Sequence, residues 1–313
     1  MKKEKPYKQK VTWKQDWKKN KALYFVMLPC LTYFIVIHYL PMFGIVMAFE
    51  DFSVRKGFFR SDWVGFKNFI DLFTGDQFLL AFRNTVAMAF LNLTVGFIMP
   101  IIFAFLVTEI RHKKAKRAMQ TISYMPHFIA AVVVVQLLKE FVSADGALTA
   151  VLSLVGLEKQ NWLANPKIPV FWLINCFTEV WQNIGFGSIM YVATIATVSG
   201  DYHEAAVLDG ATRWQRITKI TLPCIIPTIV IMFTMRIGLV FTMGFDKILL
   251  MYMPSTYATS DVLATYTYRM AFASSPANYG LSAASGLFQS VISMALLIFS
   301  NSLSKKLTGS SVY

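Results

Sequence analysis

Cysteine and histidine are scarce in this chain, and neither is arranged for chemistry. Cys30, Cys176 and Cys224 all lie in or beside apolar runs. An odd number in such places gives no disulfide framework and no metal spacing. His38, His112, His127 and His203 are widely scattered, which speaks against a zinc site. There is no glycine-rich phosphate loop, no metal-ligand cluster and no nucleophile–base pair at motif spacing. No catalytic role and no cofactor in this chain are therefore expected. Acidic residues are few as well: 17 Asp and Glu stand against 30 Lys and Arg, a net charge of +13. Such an excess can mark a nucleic-acid binder. Here the basic residues cluster beside apolar runs, as charges that orient a membrane protein do, so no nucleic-acid partner is expected. A cleavable signal is missing too. The apolar run after the first lysines extends from Ala22 to about Phe49, too long for a signal core and without a small-x-small cleavage site. The residue before Cys30 is Pro29, which rules out a lipoprotein box.

What is abundant is apolar surface. The 313 residues are 56% hydrophobic and 15% charged, with a mean hydropathy of +0.50, the composition of a polytopic membrane protein. The apolar runs predict an all-α fold with six membrane spans at about 23–48, 84–108, 119–138, 169–198, 224–245 and 283–301. The first is longer than the ~20 residues a bilayer needs, and Pro29 and Pro41 mark it as tilted or kinked. Residues 1–21 carry nine lysines, with Trp13 and Trp17 four apart as in an interfacial turn. Alternating the spans tests the orientation. One side collects nine basic residues in the 1–21 arm, five in 111–117, three in 200–227 and two in the tail, 19 in all; the other side collects nine. The excess assigns both termini to the cytoplasm.

The stretch Gly200–Pro227 is a polar island between two apolar runs. Glu204, Ala205, Ala206 and Leu208 favour a helix behind an Asp201 N-cap. Asp209-Gly210 breaks it, since glycine tolerates a left-handed turn. A second amphipathic turn places Trp214, Ile217 and Ile220 on one face, with Arg213, Arg216 and Lys219 off it. Leu222-Pro223 is expected to end that turn. The result is a helix-turn-helix elbow at a membrane surface.

Glu204-Ala205-Ala206, Asp209-Gly210, then Ile220, Leu222, Pro223 and Pro227 resemble the EAA loop of permease subunits in binding-protein-dependent ABC importers. More weakly, Lys21-Ala22-Leu23, His38-Tyr39-Leu40-Pro41, Phe49-Glu50-Asp51-Phe52 and Trp63-Val64-Gly65-Phe66-Lys67-Asn68-Phe69 resemble the branch that imports oligosaccharides derived from polysaccharides. The resemblance implies a cytoplasmic basic arm (1–21), an importer transmembrane domain (22–302) and a cytoplasmic tail (303–313) in a bacterial cell membrane. It implies a second permease, a cytoplasmic ATPase dimer carrying ATP and Mg, an extracellular solute-binding protein and an oligosaccharide cargo. It also assigns ATPase coupling to Glu204, Ala205, Ala206, Asp209, Gly210, Leu222 and Pro223. Glu204 read by itself has another role open to it, favouring the positive end of its own helix dipole.

Polar residues inside expected spans are the candidates for a substrate path. Arg236 costs at least ~2.5–3.5 kcal/mol near a bilayer centre. It faces either the cargo or Glu179 in a buried pair. Asn175, Glu179, Trp181, Gln182 and Asn183 offer the aromatic faces, amides and acid that recognise sugars. Amides in a span also act as glue between helices, and Gly185 and Gly187 as close-packing positions. Two alternatives stay open: a permease for a polyol or glycerol-phosphate, and a membrane-embedded enzyme acting on lipid-linked sugar.

Overall fold

The computed structural model describes residues 12–242 and 244–308. Five of the arm's lysines (2, 3, 5, 8 and 10) and the end of the tail lie outside them. Helix α1 (Trp13–Phe49) is 37 residues long, and its apolar stretch is not buried by the rest of the chain. Its backbone leaves helical geometry at Asn20, and its turns widen and then tighten around Pro41, which has no N–H to donate. Strand β1 (Glu50–Asp51) pairs antiparallel with β2 (Asp62–Trp63), Glu50 opposite Trp63. This two-residue ribbon is the sole sheet among the described residues.

Helix α2 (Lys67–Thr74) precedes the long α3 (Asp76–Thr108). Helices α4 (Lys113–Phe128) and α5 (Ala131–Leu154) meet at 98°. The third apolar run is therefore not one straight helix, as its composition predicts. Pro126 lies in the tight turn Met125–Phe128, where the regular ladder is interrupted. Helix α6 (Val170–Ala196) is followed by α7 (Gly200–Leu208) and α8 (Arg213–Gly238). The chain breaks at 239–244, resumes as α9 (Phe245–Met251), passes through short turns and ends in α10 (Tyr279–Thr308). Among the described residues, four helices (α1, α3, α8 and α10) are long and apolar enough to cross a membrane, and five if α4 and α5 count as one bent span. At 27 residues α6 is about 40 Å long at 1.5 Å per residue, enough to span. Its polar residues keep it out of the apolar class.

Lipid tails are as apolar as leucine, so helices in a bilayer are held by close packing and polar contacts rather than by water. The contact of α3 with α6 fits this account. Ala104 and Ser188 are fully buried there, and Gly187 lies close to Pro100. Phe97, Ile101, Tyr191 and Phe233 pack around them, drawing in α8. At the other end of α3, Asn84 donates to the carbonyls of Ala258 (3.1 Å) and Asp261 (2.9 Å), fixing the loop after α9 to the bundle. Asp261 is buried there with Arg269 at 2.5 Å and the Thr265 hydroxyl at 2.6 Å. Burial pushes its carboxyl above the usual range, against the pull of those two donors.

Candidate functional site

Two places hold most of the residues singled out in the sequence: a polar cavity inside the bundle and the elbow at one of its ends. The cavity is built on α6. Asn175, Glu179, Gln182 and Asn183 follow the spacing i, i+4, i+7 and i+8, which puts them on one helical face. Opposite that face lies the end of α4, with its Met125–Phe128 turn. The two helices approach so closely at Gly185 that a Cβ there would stand 2.1 Å from the Ser123 carbonyl oxygen. Only glycine fits that spacing. The approach brings Gln182 Nε2 within 2.9 Å of the Ile129 carbonyl. It also sets His127 Nδ1 2.8 Å from Asn183 Oδ1. The His127 ring lies flat on Phe186, with ring centres 3.8 Å apart.

The third wall is the break after α8. Gly244 is left-handed (φ +77°), and α9 starts directly after it. From α9, Lys247 forms an ion pair with Glu179 Oε2. Glu179 Oε1 accepts from Asn183 Nδ2 at 2.7 Å. His127, Asn183, Glu179 and Lys247 thus form one hydrogen-bonded chain across three segments. They line a cavity of about 310 Å³ together with Gln182, Thr242 and Asp246. Gln182 Oε1 is buried there without a partner among the described residues. Acceptors on Glu179, Asp246 and Gln182 and donors on Lys247 and Asn183 form a wall suited to a polyhydroxylated ligand.

The other sequence candidates are placed differently. Arg236 does not pair with Glu179: its guanidinium binds Asn92 Oδ1 on α3, with Nε at 3.1 Å, and it packs over Gly96. Glu179 is already held by Lys247 and Asn183, and Asn92 reaches Arg236 from the neighbouring helix. Asn175 faces a narrow gap beside Met88, Asn92 and Glu179. Trp181 lies on the opposite face of α6, in an apolar groove of about 500 Å³ with Phe177, Leu173 and Phe141. Sequence reasoning missed His127 and the pair Asp246-Lys247. The signal for Asp246-Lys247 was a carboxylate and an amine at the very end of an apolar run.

The elbow is a helix, a left-handed turn and a second helix. Its N-cap is Ser199, whose hydroxyl accepts from the Asp201 amide at 3.3 Å, so Asp201 falls in the first turn instead of capping it. Gly210 is left-handed (φ +76°). The Ala211 amide reaches the Ala206 carbonyl (2.8 Å) and the Gly210 amide the Val207 carbonyl (3.0 Å), the paired bonds of a Schellman turn. Thr212 and Gln215 then cap α8 reciprocally. Leu222-Pro223 does not end this second helix. Residues 213–238 run on as one helix, because a wide turn over Ile217–Thr221 accommodates a proline that donates no amide. Glu204, Ala205 and Asp209 are exposed and Ala206 half-buried. Leu208 is 89% and Trp214 72% exposed beside them. No residue of α7 is buried.

Comparison with known proteins gives a consistent result. Residues 96–309 match the family described as the inner membrane component of binding-protein-dependent transport systems. The chain is 36% identical to Protein LplB of Bacillus subtilis over 303 residues, 95% of this chain and 92% of that one. It is 35% identical over 295 residues to the polygalacturonan/rhamnogalacturonan transport system permease protein YteP of the same organism, covering 94% and 91%. Among solved structures, it superposes with a TM-score of 0.87 and 38% identity on a chain of a bacterial alginate ABC transporter in complex with an alginate pentasaccharide-bound periplasmic protein. That match covers 97% of this chain and 100% of that one.

Proposed function

The chain belongs to the family of inner membrane components of binding-protein-dependent transport systems, and from that premise we propose that it is the permease that carries oligosaccharides released from polysaccharides across a bacterial cytoplasmic membrane. Membership places it among ABC transport permeases and not among enzymes. The cargo follows from the relatives: YteP is named for polygalacturonan and rhamnogalacturonan, and the solved neighbour is an alginate transporter. The observation that carries the path is the 310 Å³ cavity lined by a hydrogen-bonded chain of polar and charged groups between α6, the end of α4 and α9. Polar groups at that depth are costly unless they serve a ligand or a partner. Glu179, Gln182 and Asn183, joined by His127 and Lys247, form this chain's wall of the path. Asn175 and Arg236 stand behind it.

Six spans cross the membrane in this reading: α1, α3, the bent pair α4–α5, α6, α8 and α10. The 1–21 arm, the 111–117 loop, the elbow and the tail at 303–313 face the cytoplasm, and residues 22–302 make the transporter domain. The elbow, through Glu204, Ala205, Ala206, Asp209 and Gly210, docks on a separate ATPase dimer that holds ATP and Mg. Leu222 and Pro223 stiffen the start of α8 as its lever. A second permease completes the cavity, and an extracellular binding protein delivers the sugar. ATP-driven closure then shifts the spans between two states.

The test is reconstitution of this chain with its partner permease, ATPase and binding protein in proteoliposomes. Labelled pectic and alginate oligosaccharides should enter only with ATP and binding protein. Entry of glycerol-phosphate or a polyol in their place would move the cargo to that class. Entry without an ATPase would overturn the reading.

A further inference from the structure

Where the elbow meets the bundle, a second cavity of about 230 Å³ lies between α3, α6, α7 and α8. Glu109 just past the end of α3, His203 on α7 and Arg216 on α8 converge on it, with Thr108 and Thr221 beside them. All three ionisable side chains lack a hydrogen bond or ion pair among the described residues. The Nε of Arg216 is also buried from solvent with nothing to donate to. A buried donor with no acceptor is costly, and such groups are nearly always satisfied in some state of a protein. Here a candidate acceptor lines the same gap: Glu109 is an exposed carboxylate just past the end of α3.

We propose that Glu109 and Arg216 are the two halves of a latch, apart across this cavity in the present conformation and paired when the elbow swings toward the bundle. The inference rests on the elbow being the ATPase-coupling element. Arg216 and Glu109 are positioning residues: neither touches the cargo, and each acts through the helix that carries it. Arg216 is suited to the task. It lies on the first turn of α8, which runs on to Gly238, four residues before Thr242 of the substrate cavity. A pair formed at Arg216 therefore fixes the root of the helix that leads into the cavity wall at Thr242 and Lys247. The orphaned Nε marks the present state as the unlatched one. His203, on α7, also faces the gap, so both arms of the elbow close on it together.

The test uses the whole transporter in proteoliposomes, with Cys30, Cys176 and Cys224 replaced by serine. Glu109→Cys and Arg216→Cys are joined by a short bifunctional reagent, with and without ATP–vanadate. Cross-linking is expected to rise about fivefold or more in the nucleotide-trapped state, in line with the size of ordinary coupling effects. In parallel, Glu109→Arg and Arg216→Glu should each cut uptake about tenfold while ATP hydrolysis continues, and the double swap should restore most of it. Equal cross-linking in both states overturns the latch. So does a double swap no better than the worse single variant, when the complex assembles in normal amount. If a charge variant fails to assemble, the cross-linking result decides alone. Glu204→Lys separates the two ideas. Normal coupling in that variant removes the elbow reading itself, whereas loss of coupling with state-independent cross-linking removes only the latch.

Discussion

Lys247 on α9, just past the break that ends α8, is ion-paired with Glu179 on α6, which ties the start of α9 to α6 at the cavity wall. The side chains are only 12% and 17% exposed. In such a place, removing one partner leaves the other charged and unsolvated, at a cost of about 3–5 kcal/mol. Lys247→Ala is expected to lower the melting temperature of the detergent-purified complex sharply and to abolish uptake. Glu179→Gln combined with Lys247→Met removes both charges and should recover most of the thermal stability without recovering transport. Thermal unfolding and uptake of the same three preparations check both statements.

The close approach at Gly185 makes a second prediction. A methyl group there meets the Ser123 carbonyl at 2.1 Å, and backbone cannot move aside as a side-chain tip can. Gly185→Ala should push the 123–129 turn away from α6, at about 1–3 kcal/mol for overpacking. The shift stretches the 2.8 Å contact between His127 and Asn183 and the 2.9 Å contact between Gln182 and Ile129. The apparent KM for sugar should rise, while the ATP hydrolysis that proceeds without sugar stays near its normal rate. A Gly187→Ala control meets only the Pro100 ring, at 3.3 Å, and should be milder.

The parts of this molecule set by local physics were legible in the sequence. The elbow is an example: Gly210 takes the left-handed turn its residue type allows, and a helix stands on each side of it. The face of α6 was legible too, since Asn175, Glu179, Gln182 and Asn183 share one side by spacing alone. The same spacing sets Trp181 on the far side, a signal that composition by itself conceals. The pairings were not legible. Which of Arg236 and Lys247 meets Glu179 depends on the break at 239–244 and on how α3 presents Asn92, and both are facts of packing between distant segments. The bend between α4 and α5 was hidden for a related reason: Pro126 was visible, but an apolar run reads as one span wherever the turn falls.

Arg236 makes a third prediction, which separates a structural from a substrate-binding role. Its guanidinium is held by Asn92 and packed against Gly96, away from the wall formed by Asn183 and Lys247. Asn92→Ala leaves the arginine without its acceptor, worth about 1.5–3 kcal/mol for a hydrogen bond to a charged group. Stability and the amount of assembled complex should fall. In the complex that does assemble, KM should stay within about twofold, since the interaction removed is the same with and without bound sugar. A large rise in KM with unchanged stability would instead place Arg236 in contact with the cargo.

Glu204 makes the fourth prediction, and its structural isolation makes the outcome clear. The residue is exposed, and none of its helix is buried. Substitutions at such positions usually shift stability by no more than about 0.5 kcal/mol. Glu204→Lys should therefore leave the melting temperature of the chain almost unchanged. A partner surface is different, because a reversed charge at a docking contact trades an attraction for a repulsion. Leu208 and Trp214 lie exposed beside it, giving the elbow the apolar area that a docking helix needs. The variant should lose co-purification with the ATPase, and sugar-stimulated ATP turnover and uptake should each fall at least about tenfold. Thermal unfolding, ATPase pull-down and uptake, measured on one preparation, form the check. An unfolded protein would fail all three, whereas a damaged docking surface fails only the last two. Intact uptake and turnover in Glu204→Lys would mean that the elbow is not where the ATPase takes hold.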